Sequence, residues 1–429
     1  MNKNVSLITL GCAKNLVDSE YLITGLKHVG YTIDADINNS DTIIINTCGF
    51  LDIAREESIN KIIEIEKRKK EGKVEKVIVM GCLSERYGDD LQKELPLIDK
   101  FFGSEEHEAV IKYISGKPFS LDDPDIIRAS LTPSHYSYLK IAEGCDNGCS
   151  FCSIPLMRGL QKSQPLRWNV DEAKRLASRG VKELLVIAQD STSYGWDLHP
   201  KTSLHELMAE LDKIDGLEWL RLHYAHPAHL HREMIAQFSH LDKLIPYIDM
   251  PIQHGSDKML QLMRRGLKSD GIRKRIENLR KANDKIALRT SIIVGHPDET
   301  EQDFRDMMNL ISEVQFDRLG VFQYSHEEST HAADTMEDNV PKEVKQARFD
   351  ETMALQQEIN FEKNKNLVNT KQTVLIDIVK DGLSLGRTFR DSPQIDNYVK
   401  INQNLEVGKF YDIHVTSAEE YDLTGEIAG

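Results

Sequence analysis

The sequence predicts an α/β protein in three parts. These are an N-terminal parallel α/β sheet domain over residues 1–130, a central partial (βα)6 barrel over 131–365, and a small C-terminal antiparallel β-barrel over 366–429. Three observations carry that reading. A β-branched strand, a small-residue turn and a helical pattern recur three times in the first block, which implies parallel strands with right-handed crossovers. Six strand–helix alternations follow, with polar residues at the strand ends where barrel sites form. Five short strands crowd the last part of the chain, separated by turns at Asp381-Gly382 and Val407-Gly408-Lys409.

Bulk properties narrow the function. A chain of 429 residues sets a prior of roughly three domains. Hydrophobic content of 40% and charged content of 29% are those of an ordinary chain that buries sizeable cores. A formal net charge of −15 argues against a surface that grips nucleic acid broadly through its phosphates. It suits a basic protein partner or a small-molecule substrate. The longest apolar runs, such as Thr42 to Ile45 and Val77 to Met80, are strand-sized, so no membrane span is expected. The stretch from Val5 to Gly11-Cys12 faintly resembles a lipoprotein cleavage site. Its apolar part is too short for one and alternates like a strand. A cytoplasmic location is expected. Six cysteines in such a chain point to metal or redox chemistry rather than to disulfides.

In the first block, Val5 to Leu10 leads to Gly11-Cys12, Asp41 to Asn46 leads to Thr47-Cys48-Gly49, and Val77 to Met80 leads to Gly81-Cys82. Functional loops of a parallel sheet lie at the carboxyl ends of its strands. Cys12, Cys48 and Cys82 are therefore placed on one sheet edge, where they can converge. The plainer reading is three unrelated buried cysteines, but three equivalent strand ends speak against it. Structural zinc wants a fourth ligand, and no Cys or His recurs at a matching strand end. A cubane iron-sulfur cluster with one open iron fits better. Leu51 to Lys70 reads as a helix with acidic early turns and the run Lys67-Arg68-Lys69-Lys70 at its end. That run matches the helix dipole rather than a nucleic-acid patch. Ser115 to Pro133, with Pro118 and Pro124 inside it, reads as a linker.

The central block opens on the strand-like run Leu139 to Ala142, then Gly144, then Cys145, Cys149 and Cys152 spaced Cys-x3-Cys-x2-Cys. Three thiolates on one tight loop hold three irons of a cubane and leave the fourth open. A ferredoxin-type cluster fills that site with another Cys. Strands Glu183–Ala188, Glu218–His223, Leu244–Asp249, Ala287–Val294 and Arg318–Gln323 complete six βα units. Asp338 to Lys365 reads as a long amphipathic helix with Pro341 in its first turn.

The Cys145-x3-Cys149-x2-Cys152 loop, with Phe151 before its last Cys, resembles the radical S-adenosylmethionine superfamily. One cysteine after each of three N-terminal strands resembles the methylthiotransferase family within it. Ile141-Ala-Glu-Gly-Cys145, Ile154-Pro-Leu-Met-Arg158-Gly159, Tyr247 to His254 and Phe322-Gln-Tyr-Ser325 are most similar to the branch that modifies a small-subunit ribosomal protein. The resemblance covers essentially the whole chain and implies two 4Fe-4S clusters, three cysteines each, and S-adenosylmethionine as cofactor. Cys145, Cys149 and Cys152 would be the catalytic set. Their open iron would chelate S-adenosylmethionine, whose one-electron cleavage calls for a low-potential electron donor. The resulting radical abstracts hydrogen from an unactivated carbon. The cluster on Cys12, Cys48 and Cys82 would hold the sulfur to be inserted, and a second S-adenosylmethionine supplies the methyl group. The implied product is 3-methylthioaspartate in the twelfth small-subunit ribosomal protein. The competing reading is a transfer-RNA methylthiotransferase acting on a modified adenosine.

Gln189, Gln253 and Arg289 at or near strand ends, with Phe151, are candidate cofactor contacts. Ordinary strand-end polarity is nearly as good an account of each. Gly295-His-Pro-Asp-Glu299-Thr300 matches a family segment that more often carries Phe and Gly where His296 and Asp298 stand. His223, His226, His229 and His231 admit a metal site, but a loop that carries His is the better reading. Arg264-Arg265 and Arg273-Lys274-Arg275 read as solvated helix faces. The last block resembles the TRAM domain. Between Lys371 and Gly429 it holds six basic and ten acidic residues. That balance suits a basic ribosomal protein better than RNA.

Overall fold

The computed structural model describes residues 4–120 and 126–428. Pro124 of the expected linker lies outside the described residues. The chain divides into two compact units. The first comprises Met1–Thr132, Ala142–Asp146 and Cys152–Lys162; the second comprises Pro133–Ile141, Asn147–Phe151 and Ser163–Gly429.

The first unit is a five-stranded parallel sheet. Its strands are β1 (Asn4–Thr9), β2 (Thr32–Ile33), β3 (Thr42–Thr47), β4 (Lys76–Gly81) and β5 (Lys100–Phe101), in the order β2-β1-β3-β4-β5. Helices α1 (Ala13–His28), α2 (Asp52–Lys70), α3 (Cys82–Glu94) and α4 (His107–Ser115) cover it. The unbroken Ile43-Ile44-Ile45 run follows from burial on both faces. Ile44 packs with Leu22 and Leu26 of α1 and Val110 of α4. Ile43 and Ile45 pack with Ile62 and Ile65 of α2. The two-residue strands β2 and β5 were not expected; neither has an apolar run long enough to announce it.

In the second unit six parallel strands run in chain order. They are β6 (Tyr136–Lys140), then, past the two-residue strands β7 (Ala142–Glu143) and β8 (Lys162–Ser163), β9 (Glu183–Ile187), β10 (Trp219–Leu222), β11 (Leu244–Asp249), β12 (Ala287–Val294) and β13 (Arg318–Gln323). Sequential parallel order with β6 and β13 at the two ends is the partial barrel the alternation predicts. The expected linking helix runs Lys342–Lys365.

A closed barrel follows, formed by β14 (Lys371–Lys380), β15 (Leu383–Arg387), β16 (Val399–Ile401), β17 (Phe410–Ala418) and β18 (Leu423–Ile427). It is not wholly antiparallel: β16 pairs with β18 in parallel, which closes the ring in the order β14-β15-β16-β18-β17. Alternate residues Val374 and Ile376, Val399 and Ile401, and Ile413 and Val415 fill its core.

This barrel is tied to the central sheet by buried ion pairs. Glu183 of β9 accepts from Arg221 of β10 at 2.6 Å and from Arg387 of β15 at 2.7 Å. Asp377 lies 2.7 Å from His135, and Arg390 bonds Asp317 at 2.7 Å. Arg318 bonds Asp391 at 2.9 Å. Asp377, Asp391 and Asp396 on one side, and Arg387 and Arg390 on the other, are thus engaged inside the unit. Seven of the ten acidic and four of the six basic residues remain outside that ionic layer.

Candidate functional site

Three adjacent strands of the first sheet each end at a cysteine. Cys12 caps α1, Cys48 follows β3, and Cys82 opens α3 after Gly81, whose φ of 105° a side chain would strain. Each thiol lies within electrostatic range of the other two. Gly11, at φ 90°, makes room: a Cβ there would lie 2.6 Å from the Cys48 Cβ and 3.0 Å from its Sγ. Gly49 likewise passes against the Cys82–Leu83 backbone, where a Cβ would come within 2.8 Å of the Leu83 nitrogen. Cys48 and Cys82 are buried, whereas Cys12 is exposed.

A polar frame holds this edge. Asn15, one helical turn after Cys12, donates to the Leu10 and Thr47 carbonyls at 2.8 and 3.0 Å. Ser58 of α2 accepts from the Cys48 N–H at 3.1 Å and donates to its carbonyl at 2.9 Å. Thr47 donates to the Met80 carbonyl at 2.7 Å. Arg158 belongs to the same unit. It ends the short helix α5 (Ile154–Arg158), and its Nε donates to Cys82 Sγ at 3.0 Å. Burial, opposed by Arg158, pushes the Cys82 thiol up to about 12, and burial also raises Cys48. Binding of a cationic group must therefore displace protons from these sulfurs. Three convergent thiols, a clearance left by Gly11 and one cationic donor suit a cluster held by three cysteines.

Cys145, Cys149 and Cys152 occupy the stretch after β7. In the first unit, the Cys145 N–H donates to the Gly159 carbonyl at 3.1 Å, and Asp146 accepts from the Gln161 N–H at 2.9 Å. Gly144, at φ 73°, passes so close to Leu160 that a Cβ would lie 2.2 Å from its carbonyl oxygen. In the second unit, the Ser150 N–H donates to Met263 at 3.2 Å, and its carbonyl accepts from Ala332 at 2.7 Å. Arg265 donates to Cys149 Sγ at 3.1 Å and to the Pro251 carbonyl at 2.7 Å. Arg265 is buried, so the expectation of a solvated helix face is corrected for this residue. Its non-local partners are the reason.

The remaining candidates separate. Phe151 is part-buried on the loop itself. Gln189 lies two residues beyond β9, also part-buried. Gln253 has φ 72°, and its backbone bonds Ser291 and Ile293 of β12. A non-glycine residue in that region costs on the order of 1–3 kcal/mol, a strain typical of ligand-facing positions. Arg289 is the third of the eight residues of β12, away from its carboxyl end. Its guanidinium bonds Asp249 at 3.0 Å and Asp396 at 3.4 Å. Two carboxylates thus engage Arg289 within the ionic layer.

Asp190, His226 and His229 bring ligand-type atoms within 4.8 Å of one another. Both Asp190 oxygens are filled, one by the Thr192 N–H at 3.0 Å, the other by Asn147 at 2.9 Å and His229 at 2.8 Å. Burial alone would raise this carboxyl. The bonds from His229, Thr192 and Asn147 outweigh it and hold the group well below the usual range. His226 Nδ1 accepts from the Ala228 N–H at 3.3 Å, so its hydrogen sits on Nε2. His226 Nε2 is buried without a hydrogen-bond partner, and His223 and His231 stand outside this group.

Sequence reasoning missed Asn15, Asp18, Glu143, Arg158 and Arg265. Asn15 carried a local signal in its helical i+3 spacing from Cys12, and Glu143 and Arg158 stand within segments that carry the family resemblance.

Comparison with known proteins gives three family models in order. Residues 4–103 match uncharacterized protein family UPF0004, 139–311 the radical SAM superfamily, and 368–428 the TRAM domain. The chain is 46% identical over 430 residues to the ribosomal protein uS12 methylthiotransferase RimO of Bacteroides fragilis, covering 99% of each. It is 45% identical to that of Bacteroides thetaiotaomicron, covering 99% of this chain and 98% of the other. The solved radical S-adenosylmethionine methyltransferase TsrM from Kitasatospora setae aligns with TM-score 0.55 at 14% identity, over 78% of this chain and 77% of that one. The cobalamin-dependent radical enzyme OxsB aligns with TM-score 0.54 at 11% identity, over 83% and 56%. These two establish likeness of fold.

Proposed function

Since the chain belongs to the ribosomal protein uS12 methylthiotransferase family, we propose that it replaces a β-hydrogen of one aspartate in protein uS12 by a methylthio group, giving 3-methylthioaspartate. The observation that carries this reading is the convergence of Cys12, Cys48 and Cys82 at three adjacent strand ends of a chain that also holds the Cys145, Cys149 and Cys152 loop. A generic radical enzyme needs only the second set.

In this reading each triad ligates one 4Fe-4S cluster. When bound, the clusters supply reductive cleavage of S-adenosylmethionine and a carrier for the sulfur to be inserted. The protein's part is to fix geometry and exclude water. Arg265 orients Cys149 and donates a charged hydrogen bond to its sulfur. Phe151, Gln189 and Gln253 are the proposed S-adenosylmethionine contacts, with Gln253 held ready by its strained backbone. A low-potential electron donor and a cytoplasmic location belong to the same proposal. No helix among the described residues is long and apolar enough to cross a membrane.

The test is the intact mass of uS12 from a strain lacking this gene and from the complemented strain. The complemented strain should regain a mass equal to SCH2 on uS12. An unchanged uS12, with loss of a methylthio nucleoside from transfer RNA, would replace this reading with the nucleic-acid one.

A further inference from the structure

Arg158 is 4% exposed, and four acceptors of the first unit engage its guanidinium. Nε donates to Cys82 Sγ at 3.0 Å. Nη1 donates to Asp18 at 2.7 Å and to Glu143 at 3.0 Å, and Nη2 to Asn15. A residue serving only to tie elements together would be content with the two carboxylates. Here the remaining fork is turned on a sulfur and on the amide that itself lies 3.7 Å from that sulfur.

We propose that Arg158 is the positioning residue that sets the reduction potential of the cluster on Cys12, Cys48 and Cys82, with Asp18 and Glu143 as its counterweights. This rests on the cluster assignment above. Hydrogen bonds to ligand sulfur and local net charge are two established levers on such potentials. One N–H to Cys82 and one positive charge stabilise the reduced, more negative cluster. Two buried carboxylates oppose them. The balance is held by a planar fork that a lysine cannot reproduce. Glu143 stands two residues before Cys145, and Arg158 six after Cys152. The chain segment that carries the radical-generating triad thus also supplies the charges that act on the other sulfur set.

The experiment uses the full chain with Cys145, Cys149 and Cys152 changed to alanine, so that any iron reports on the other triad. Iron and sulfide are assayed first, then the midpoint potential by electron paramagnetic resonance during redox titration. Arg158→Gln should lower the reduced-to-oxidised ratio at the parent midpoint at least tenfold, about 59 mV for a one-electron couple. Glu143→Gln should move the midpoint in the opposite direction. Arg158→Lys, which keeps the charge but loses the fork, should fall between parent and Arg158→Gln. If Arg158→Gln does not load iron, the other two variants carry the test. Unshifted midpoints in the loaded variants overturn the inference while leaving the cluster assignment intact. A triple-alanine chain that binds no iron overturns both.

Discussion

At the scale of single residues, two of the three convergent sulfurs are hard to ionise. Burial keeps Cys48 and Cys82 protonated, and Arg158 is the main favourable charge on Cys82. Replacing Cys82 with alanine should lower iron from about eight to about four per chain, four per cubane. Methylthiolation should then stop, while 5′-deoxyadenosine is still formed from S-adenosylmethionine under dithionite. Equal iron in variant and parent would remove Cys82 from the ligand set. Gly11→Ala should act at the same place without touching a sulfur. It adds about 1–2 kcal/mol of left-handed backbone strain and a methyl 2.6 Å from the Cys48 Cβ. Its iron content should fall toward about four with the fold retained by circular dichroism.

At the scale of elements, the tie between the last barrel and the central sheet is ionic. Burial would raise the Glu183 carboxyl, but Arg387 and Arg221 outweigh it and hold it at about 2, against an ordinary 4.5. The native state thus binds fewer protons there than the unfolded chain. The resulting stability, roughly 3 kcal/mol, is present above pH 4.5 and is lost as pH falls through 2. Glu183→Gln should cost about 3 kcal/mol at pH 7 by leaving the buried Arg221 without a carboxylate, while Arg387 keeps Asp377. In urea unfolding, the gap between parent and variant should narrow by pH 3; a pH-independent gap would contradict the ionic account. Much of this architecture was legible in the chain. β-Branched runs such as Ile43 to Ile45 announce strands, and the three Gly-or-Thr-then-Cys turns announce one edge. The pairings of Arg158 with Asp18, Arg265 with Cys149 and Arg289 with Asp396 were not legible, because each partner lies more than a hundred residues away. The parallel pairing of β16 with β18 was hidden because strand pattern fixes face, not neighbour.

At the scale of the whole molecule, charge should govern the encounter with a basic protein substrate. The chain carries −15, and the ionic layer leaves the last barrel with a surplus of acidic groups. Raising salt from about 50 to about 500 mM should lower kcat/KM for uS12 severalfold, while S-adenosylmethionine cleavage without uS12 stays flat. A salt-independent kcat/KM would remove electrostatic steering from the account. The spacing of the two cysteine sets has a separate consequence for how the protein matures. Cys145, Cys149 and Cys152 lie within eight residues, a spacing that needs no distant strand pairing to bring them together. Cys12, Cys48 and Cys82 are 36 and 34 residues apart and meet only when β1, β3 and β4 have paired in register. On the proposed two-cluster reading, loading of the second set is a late event that reports a finished N-terminal sheet, so a chain misfolded there would carry half its iron and make radicals with no sulfur to deliver.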